Sequence, residues 1–225
     1  MSALQNINVF LGGVDLEKYR SKYARIKLVE LDLDRNIQAL HHLYREYWER
    51  RARFPSFEEF YDIYSGDLRG ELENFRRDKM FSKETFYRGM PARIYRTWAS
   101  LLTQIQGGYA AEAIYGRGNV EMKAALDYRG IDIRLTDGGE AVNLQIKKET
   151  VSREVRAPWQ HIKRNTKIVT VVYEVPGSRL FLKSGEPNTP FRRWRAKWRG
   201  KLARLDNGFI VFLPEMFARE HIRTP

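Results

Sequence analysis

The chain has no cysteine among its 225 residues, which excludes disulfide bridges and thiolate-held metals. Histidine is also scarce. The four present, His41, His42, His161 and His221, show no zinc-ligand spacing and fit structural or surface roles. No apolar run approaches the roughly 18 residues of a membrane-spanning helix, and no signal-like apolar segment opens the chain. We therefore expect a cytoplasmic protein with no membrane partner. There is no internal repeat and no low-complexity segment. Acidic residues are outnumbered, 28 against 40 lysines and arginines, for a formal net charge of +12. Such a balance favours a polyanionic partner. The length suits one compact domain with a sizeable core, divided into a helical N-terminal subdomain over 1–85 and a second part over 86–225.

Residues 15–85 carry helical periodicity in four segments, 16–32, 37–53, 56–65 and 68–80, separated by breakers such as Pro55 and Gly66. In the second, Leu40, Leu43, Tyr44, Tyr47 and Trp48 recur at three- and four-residue steps and face a core. Ser56 and Glu59 have the spacing of a capping box. A long helix is expected over 91–115, with Pro91 in its first turn. Its buried stripe is Tyr95, Trp98, Leu102, Ile105 and Tyr109, with Glu112 on the same face. Gly107-Gly108 marks either the helix end or a close backbone approach.

The chemistry concentrates in Gly130–Thr150. Ile131, Ile133 and Leu135 alternate with Asp132 and Arg134; Val142, Leu144 and Ile146 alternate with Gln145, Lys147 and Glu149. Between these strands, Asp137-Gly138-Gly139-Glu140 is a tight-hairpin signal, since glycine readily takes the positive φ of primed turns. The turn sets partners whose numbers sum to 277, so Asp132 faces Gln145 and lies diagonal to Lys147. A carboxylate, an amide and a lysine then share one patch, with Glu149 further along. Hard oxygen donors of this kind suit Mg²⁺, which keeps several of its own waters. The lysine adds a positive charge beside them, able to orient a water or offset negative charge on a bound group. A solvated hairpin face is the competing reading.

Beyond the hairpin, 151–167 is polar and basic. Arg153, Arg156, Lys163 and Arg164 there, with Lys148 before them, are candidates for phosphate or guanine contacts. Residues 168–175, β-branched over 168–172, read as a strand buried on both faces. Over 191–205 a basic helix is expected, with Phe191, Trp194, Trp198, Leu202 and Leu205 inward and Arg192, Arg193 and Arg195 among the outward cations suited to phosphates. Asn207-Gly208 would stop it before a short strand, FIVFL.

The aspartate followed on the next strand by QxK resembles the active site of PD-(D/E)xK nucleases in its D…QxK form. The segments KYARIKLVELDLDR, LYREYW, PSFEEF, ARIYRTWAS, GIDIRL, LQIKKET and LDNGFIVF, in this order from about Asp15 to Leu213, resemble the TaqI family of type II restriction endonucleases. That resemblance implies an α+β (α/β) fold with an αβββαβ nuclease core and Mg²⁺-dependent, sequence-specific cleavage of double-stranded DNA at a short palindrome such as TCGA. It also implies a homodimer and a companion DNA methyltransferase in the same system. Relatives of the nuclease fold commonly lend a glutamate from the preceding helix, which makes Glu112 a metal-ligand candidate beside Asp132, Gln145 and Glu149. A structure-specific nuclease such as a junction resolvase, or a DNA-binding module with a decayed site, are the alternatives.

Overall fold

The structure is a computed structural model and describes residues 1–51, 53–149, 168–177 and 180–223, the side chains of Glu149 and Arg223 excepted. Arg153, Arg156, Lys163 and Arg164 therefore lie outside the described residues. The chain forms two compact units, Met1–Ile105 with Asp206–Phe209, and Gln106–Leu205 with Ile210–Pro225. Helices and a mixed sheet together make the architecture mixed α and β.

The first unit is helical. Helix α1 (Ala3–Gly12) opens on a capping box between Ser2 and Gln5. At its C-terminus Asn207 donates to the carbonyls of Leu11 (2.6 Å), in the last turn, and Val14 (2.8 Å), just past it, adding to the partners of the helix end. Helix α2 (Leu16–Tyr23) stops well short of the expected residue 32. Tertiary packing overrides helical pattern here: the carbonyl of Ile26 accepts from Arg96 (3.0 Å) and Val29 is fully buried. The backbone passes so close that a Cβ on Gly89 would lie 2.7 Å from the Leu28 Cβ.

Helix α3 (Leu40–Tyr44) runs into a π-turn over Arg45–Glu49, which buries Tyr47 and Trp48 as the stripe predicts. Helix α4 (Phe57–Asp67) starts at the Ser56–Glu59 capping box, and Gly66 lies inside it rather than breaking it. After α5 (Arg69–Asp78), α6 runs from Lys83 to Tyr115 with Pro91 inside. The helix begins ahead of the proline because Ser82 caps it, its Oγ accepting from the Thr85 N–H (3.1 Å). All five stripe residues are buried. Trp98 packs among Tyr19, Phe57 and Tyr95 with ring centroids 5.5–6.0 Å apart and donates to the Tyr47 hydroxyl (2.7 Å). These aromatics are a core, whose quadrupoles favour tilted contacts.

In the second unit, β1 (Val120–Glu121) and α7 (Ala124–Asp127) lead to β2 (Ile133–Asp137), β3 (Glu140–Glu149) and β4 (Ile168–Glu174). The sheet order is β1-β2-β3-β4, with the first two pairings antiparallel and the last parallel. The β2–β3 register runs from Ile133↔Leu144 to Asp137↔Glu140, the sum of 277 that the turn dictates. Gly138 and Gly139 take φ of 61° and 87°, as the two central positions of a primed turn require. Strand β4 buries only Val171 and Tyr173; Val172 is 40% exposed, so one face of this strand is open rather than both being covered.

The segment expected to be one helix over 191–205 divides. Helix α8 spans Thr189–Lys197, Gly200 takes φ 75°, and the chain returns as β5 (Leu202–Arg204), paired with β6 (Ile210–Phe212). A glycine in the left-handed region breaks the helix, and Asn207-Gly208, with Gly208 at φ 96°, lies in the connection between β5 and β6 instead of capping a helix. The chain closes with α9 (Arg219–Arg223).

Gly107 is a point of close approach. A Cβ there would lie 3.1 Å from Ile146 Cδ1, 3.2 Å from Phe212 Cδ2 and 3.3 Å from Phe217 Cζ. Beside it Gln106, fully buried, donates to the Phe212 carbonyl (2.9 Å) and accepts from its N–H (2.7 Å). Gly107→Ala should destabilise the protein by up to about 2 kcal/mol: overpacking costs about 1–3, offset by about 1 from helix propensity. Urea denaturation checks this; an alanine variant more stable than the parent would mean that these neighbours relax freely.

Candidate active site

Asp132 stands immediately before β2, where the ladder departs from the extrapolated register. Its N–H donates to the Leu144 carbonyl (2.9 Å), although Leu144 is registered against Ile133. Two successive residues thus meet one, as at a β-bulge, a device that re-aims a side chain. The carboxylate turns inward instead of joining a solvated face: Asp132 is only 6% exposed, and its Oδ2 accepts from the Ile146 N–H (2.6 Å). Burial pushes its pKa up to about 7, against the backbone bond from Ile146; the charge of Asp127 adds to the rise and Lys147 opposes it. An acid held at this balance between charged and neutral forms is characteristic of functional sites.

Gln145 and Lys147 follow on β3, both half-buried and on one face by strand alternation. The same face carries Asn143, whose Oδ1 accepts from Arg134 (3.0 Å), which in turn lies 3.5 Å from Glu121. This polar row crosses β1, β2 and β3 and ties down the hairpin. On the other side, Gln145 is registered with Thr170 and Lys147 with the exposed Val172, so the face is accessible where those two side chains emerge. Gln145 also reaches back toward the turn before Asp132. Its Nε2 lies 3.4 Å from the position a Cβ would take on Gly130, whose φ is 77°.

The structure brings Asp132 and Lys147 within electrostatic reach. Glu112 is half-buried near the end of α6. Glu149 occupies the end of β3, registered with Glu174. Lys148 is exposed on the same strand, and Arg192, Arg193 and Arg195 are exposed on α8. Among the described residues, no three His, Cys, Asp or Glu side chains cluster as metal holders. Two neighbours of the site were not singled out by the hairpin pattern. Asp127 ends α7, and the turn that follows, with the Gly130 N–H donating to the Asp127 carbonyl (2.8 Å), returns the chain toward Asp132. An aspartate five residues upstream across a glycine turn was a legible signal. Tyr173 on β4 is buried, which together with the Asp132 charge pushes its hydroxyl up to about 12; its ring meets Phe212 edge-on at 5.2 Å. Only the parallel pairing of β4 brings it here.

Sequence comparison supplies the decisive observation. The chain matches the TaqI restriction endonuclease family over residues 4–223. It belongs to that family. It is 34% identical to the type II restriction enzyme TaqI of Thermus aquaticus and 33% identical to the type II restriction enzyme TthHB8I of Thermus thermophilus. Each alignment spans 222 residues, 93% of this chain and 83% of the relative. No solved structure matches the chain. As a TaqI-family protein it is a type II site-specific deoxyribonuclease, and its restriction-endonuclease homologues act on double-stranded DNA. Enzymes of this type generally need a divalent metal. Among the described residues no helix is long and apolar enough to cross a membrane.

Proposed function

We propose that the protein cleaves both strands of a short palindrome, TCGA or a close relative, by Mg²⁺-assisted phosphodiester hydrolysis at the Asp132–Gln145–Lys147 site of a PD-(D/E)xK nuclease core. The observation that carries the reading is a buried carboxylate, 6% exposed and held by the Ile146 N–H (2.6 Å), with a lysine of the adjoining strand within electrostatic reach. The donor set fits a hard cation: the Asp132 carboxylate and the Gln145 amide oxygen, with Glu112 and Glu149 as further candidates, supply only oxygen. A positive charge would also favour the ionised form of Asp132, which burial disfavours. Bound there, the cation would make water more acidic and polarise the scissile phosphate.

The chain's own groups divide the remaining work. Asp132 has one carboxylate oxygen held by the Ile146 N–H, and the other would hold the cation. Lys147 orients the attacking water and offsets negative charge as it develops on the phosphate, an effect strengthened by partial exclusion of solvent. Gln145 contributes a neutral dipole. Lys148, Arg192, Arg193 and Arg195, with Arg153, Arg156, Lys163 and Arg164, meet the DNA. Cutting two strands at equivalent positions calls for a two-fold homodimer, whose symmetry mirrors that of the target, and a methyltransferase in the same system protects the host's own sites.

Digestion of a sequenced plasmid with Mg²⁺, followed by mapping of the ends, tests this reading. Discrete fragments with ends at one palindrome are expected; ends scattered over unrelated sequences, or confined to branched DNA, would overturn it. Binding should also be strongly salt-dependent. With six or more phosphates engaged, affinity should fall by about a thousandfold or more between about 50 and 200 mM salt. Fluorescence anisotropy with a cognate duplex reads this, and a flat response would remove the electrostatic interface.

A further inference from the structure

Because the chain reverses at Gly200, the arginines of 191–205 do not spread around one helix. Arg192 and Arg195 of α8, Arg199 of the turn and Arg204 of β5 line a single open groove of about 720 Å³. Its floor is apolar, with Phe191, Trp194 and Leu202, and among the described residues no aspartate or glutamate lines it. The acid nearest the helix in bonding terms, Glu174, is already engaged: it holds Lys197 (3.0 Å), and its carbonyl accepts from Trp194 (2.7 Å). Four guanidinium groups around one groove repel each other unless an anion lies between them. The Arg192 guanidinium donates to Thr189 Oγ1 (3.3 Å), a neutral acceptor that does not offset its charge.

The groove is also tied to the strand that carries the proposed chemistry. Trp194 and Lys197 anchor α8 to Glu174, and Glu174 is registered with Glu149 at the end of the strand that carries Lys147. Neighbouring strands are about 4.8 Å apart, so the helix that walls the groove is fastened one strand away from the proposed catalytic face. We propose that this groove is a sequence-independent cradle for the sugar–phosphate backbone of the bound duplex, flanking the bond that is cut, with Arg199 and Arg204 as phosphate contacts. Guanidinium groups beside apolar side chains suit a ligand built of phosphates and deoxyriboses. Arginine binds phosphate oxygens in pairs through its planar fork. Held on phosphates, these arginines contribute affinity and register rather than choice of sequence; held on guanine edges, to which a guanidinium also donates, they would choose sequence.

The proposal rests on duplex DNA being the substrate, and the test separates the two. Arg199→Gln/Arg204→Gln is compared with the parent on a cognate duplex and on one lacking any target, by anisotropy from about 50 to 200 mM salt. Removing two phosphate-binding cations should lower the slope of log K against log salt by about two, equally on both duplexes, with affinity reduced on the order of tenfold at about 200 mM salt and by more at lower salt. The fragment ends of a digested plasmid should map to the same bonds as the parent's. Arg199→Lys/Arg204→Lys should restore the slope, since lysine keeps the charge. An unchanged slope in a variant with the parent's thermal midpoint overturns the cradle, whether or not the parent cuts at a palindrome. Weakening confined to the cognate duplex would instead make these arginines base readers. A change in sedimentation without DNA, and none in salt slope, would make the groove a contact between copies. Either result also overturns the proposal. If the parent fails to cut at any fixed sequence but the slope falls by two, the cradle stands and the palindrome reading falls.

Discussion

Asp132→Ala and Lys147→Ala should each slow the chemical step by at least about 10²–10³-fold, or about 3–4 kcal/mol, while cognate DNA is still bound. This is the scale on which a single preorganised electrostatic partner of a transition state acts. Asp132 is proposed to hold the cation and Lys147 to act on the water and the phosphate, so the two variants should fail by different routes. Extra Mg²⁺ should partly rescue a variant that binds the cation weakly, and should not rescue the loss of Lys147. Gln145→Ala should lose less than Asp132→Ala, because an amide contributes a dipole and no net charge. Single-turnover cleavage across a Mg²⁺ titration, with binding measured in Ca²⁺, reads all three. A near-parental rate for either Asp132→Ala or Lys147→Ala would move the site elsewhere, first to Asp127, Glu112 and Glu149.

Much of the hairpin was legible because its information is local. The two glycines set the turn, the turn set the sum of 277, and strand alternation set which side chains of β3 share a face; five registered pairs agree. The Ser56 cap and the α6 stripe were legible for the same reason. What failed depended on distant partners. Asp132 reads as a polar-face residue in a two-residue alternation, yet a one-residue slip at the start of β2 buries it. The apolar spacing from Phe191 to Leu205 satisfies a helix, but it satisfies α8 followed by a returning strand equally well. The positive φ at Gly200 decides between them. The second half of the expected 16–32 helix is lost to packing against α6 at Gly89, a contact between segments some sixty residues apart. Periodicity records that a side chain is buried, not what buries it.

The desolvation of Asp132 carries a second consequence, in the metal-free protein. Asp132→Asn should make the protein more stable than the parent at pH 8, by up to about 4 kcal/mol, and no more stable near pH 4. The sign follows from the raised pKa. An aspartate whose folded value is about 7 against an ordinary 3.8 binds more protons folded than unfolded between those values, so its contribution is fully present below about pH 4. That contribution falls as pH rises and is gone above about pH 7. Asparagine stays neutral and can still accept from the Ile146 N–H, so the variant avoids the loss. Chemical denaturation in a chelator at several pH values gives the two profiles, which should converge at acid pH and separate toward neutrality. Adding Mg²⁺ at pH 8 should then stabilise the parent more than the variant, because an ion that binds only the folded carboxylate shifts the folding equilibrium in its favour. Parallel profiles would show that Asp132 is not held in a desolvated state. Equal stabilisation by Mg²⁺ would take the cation away from this residue, whatever the cleavage assay had found.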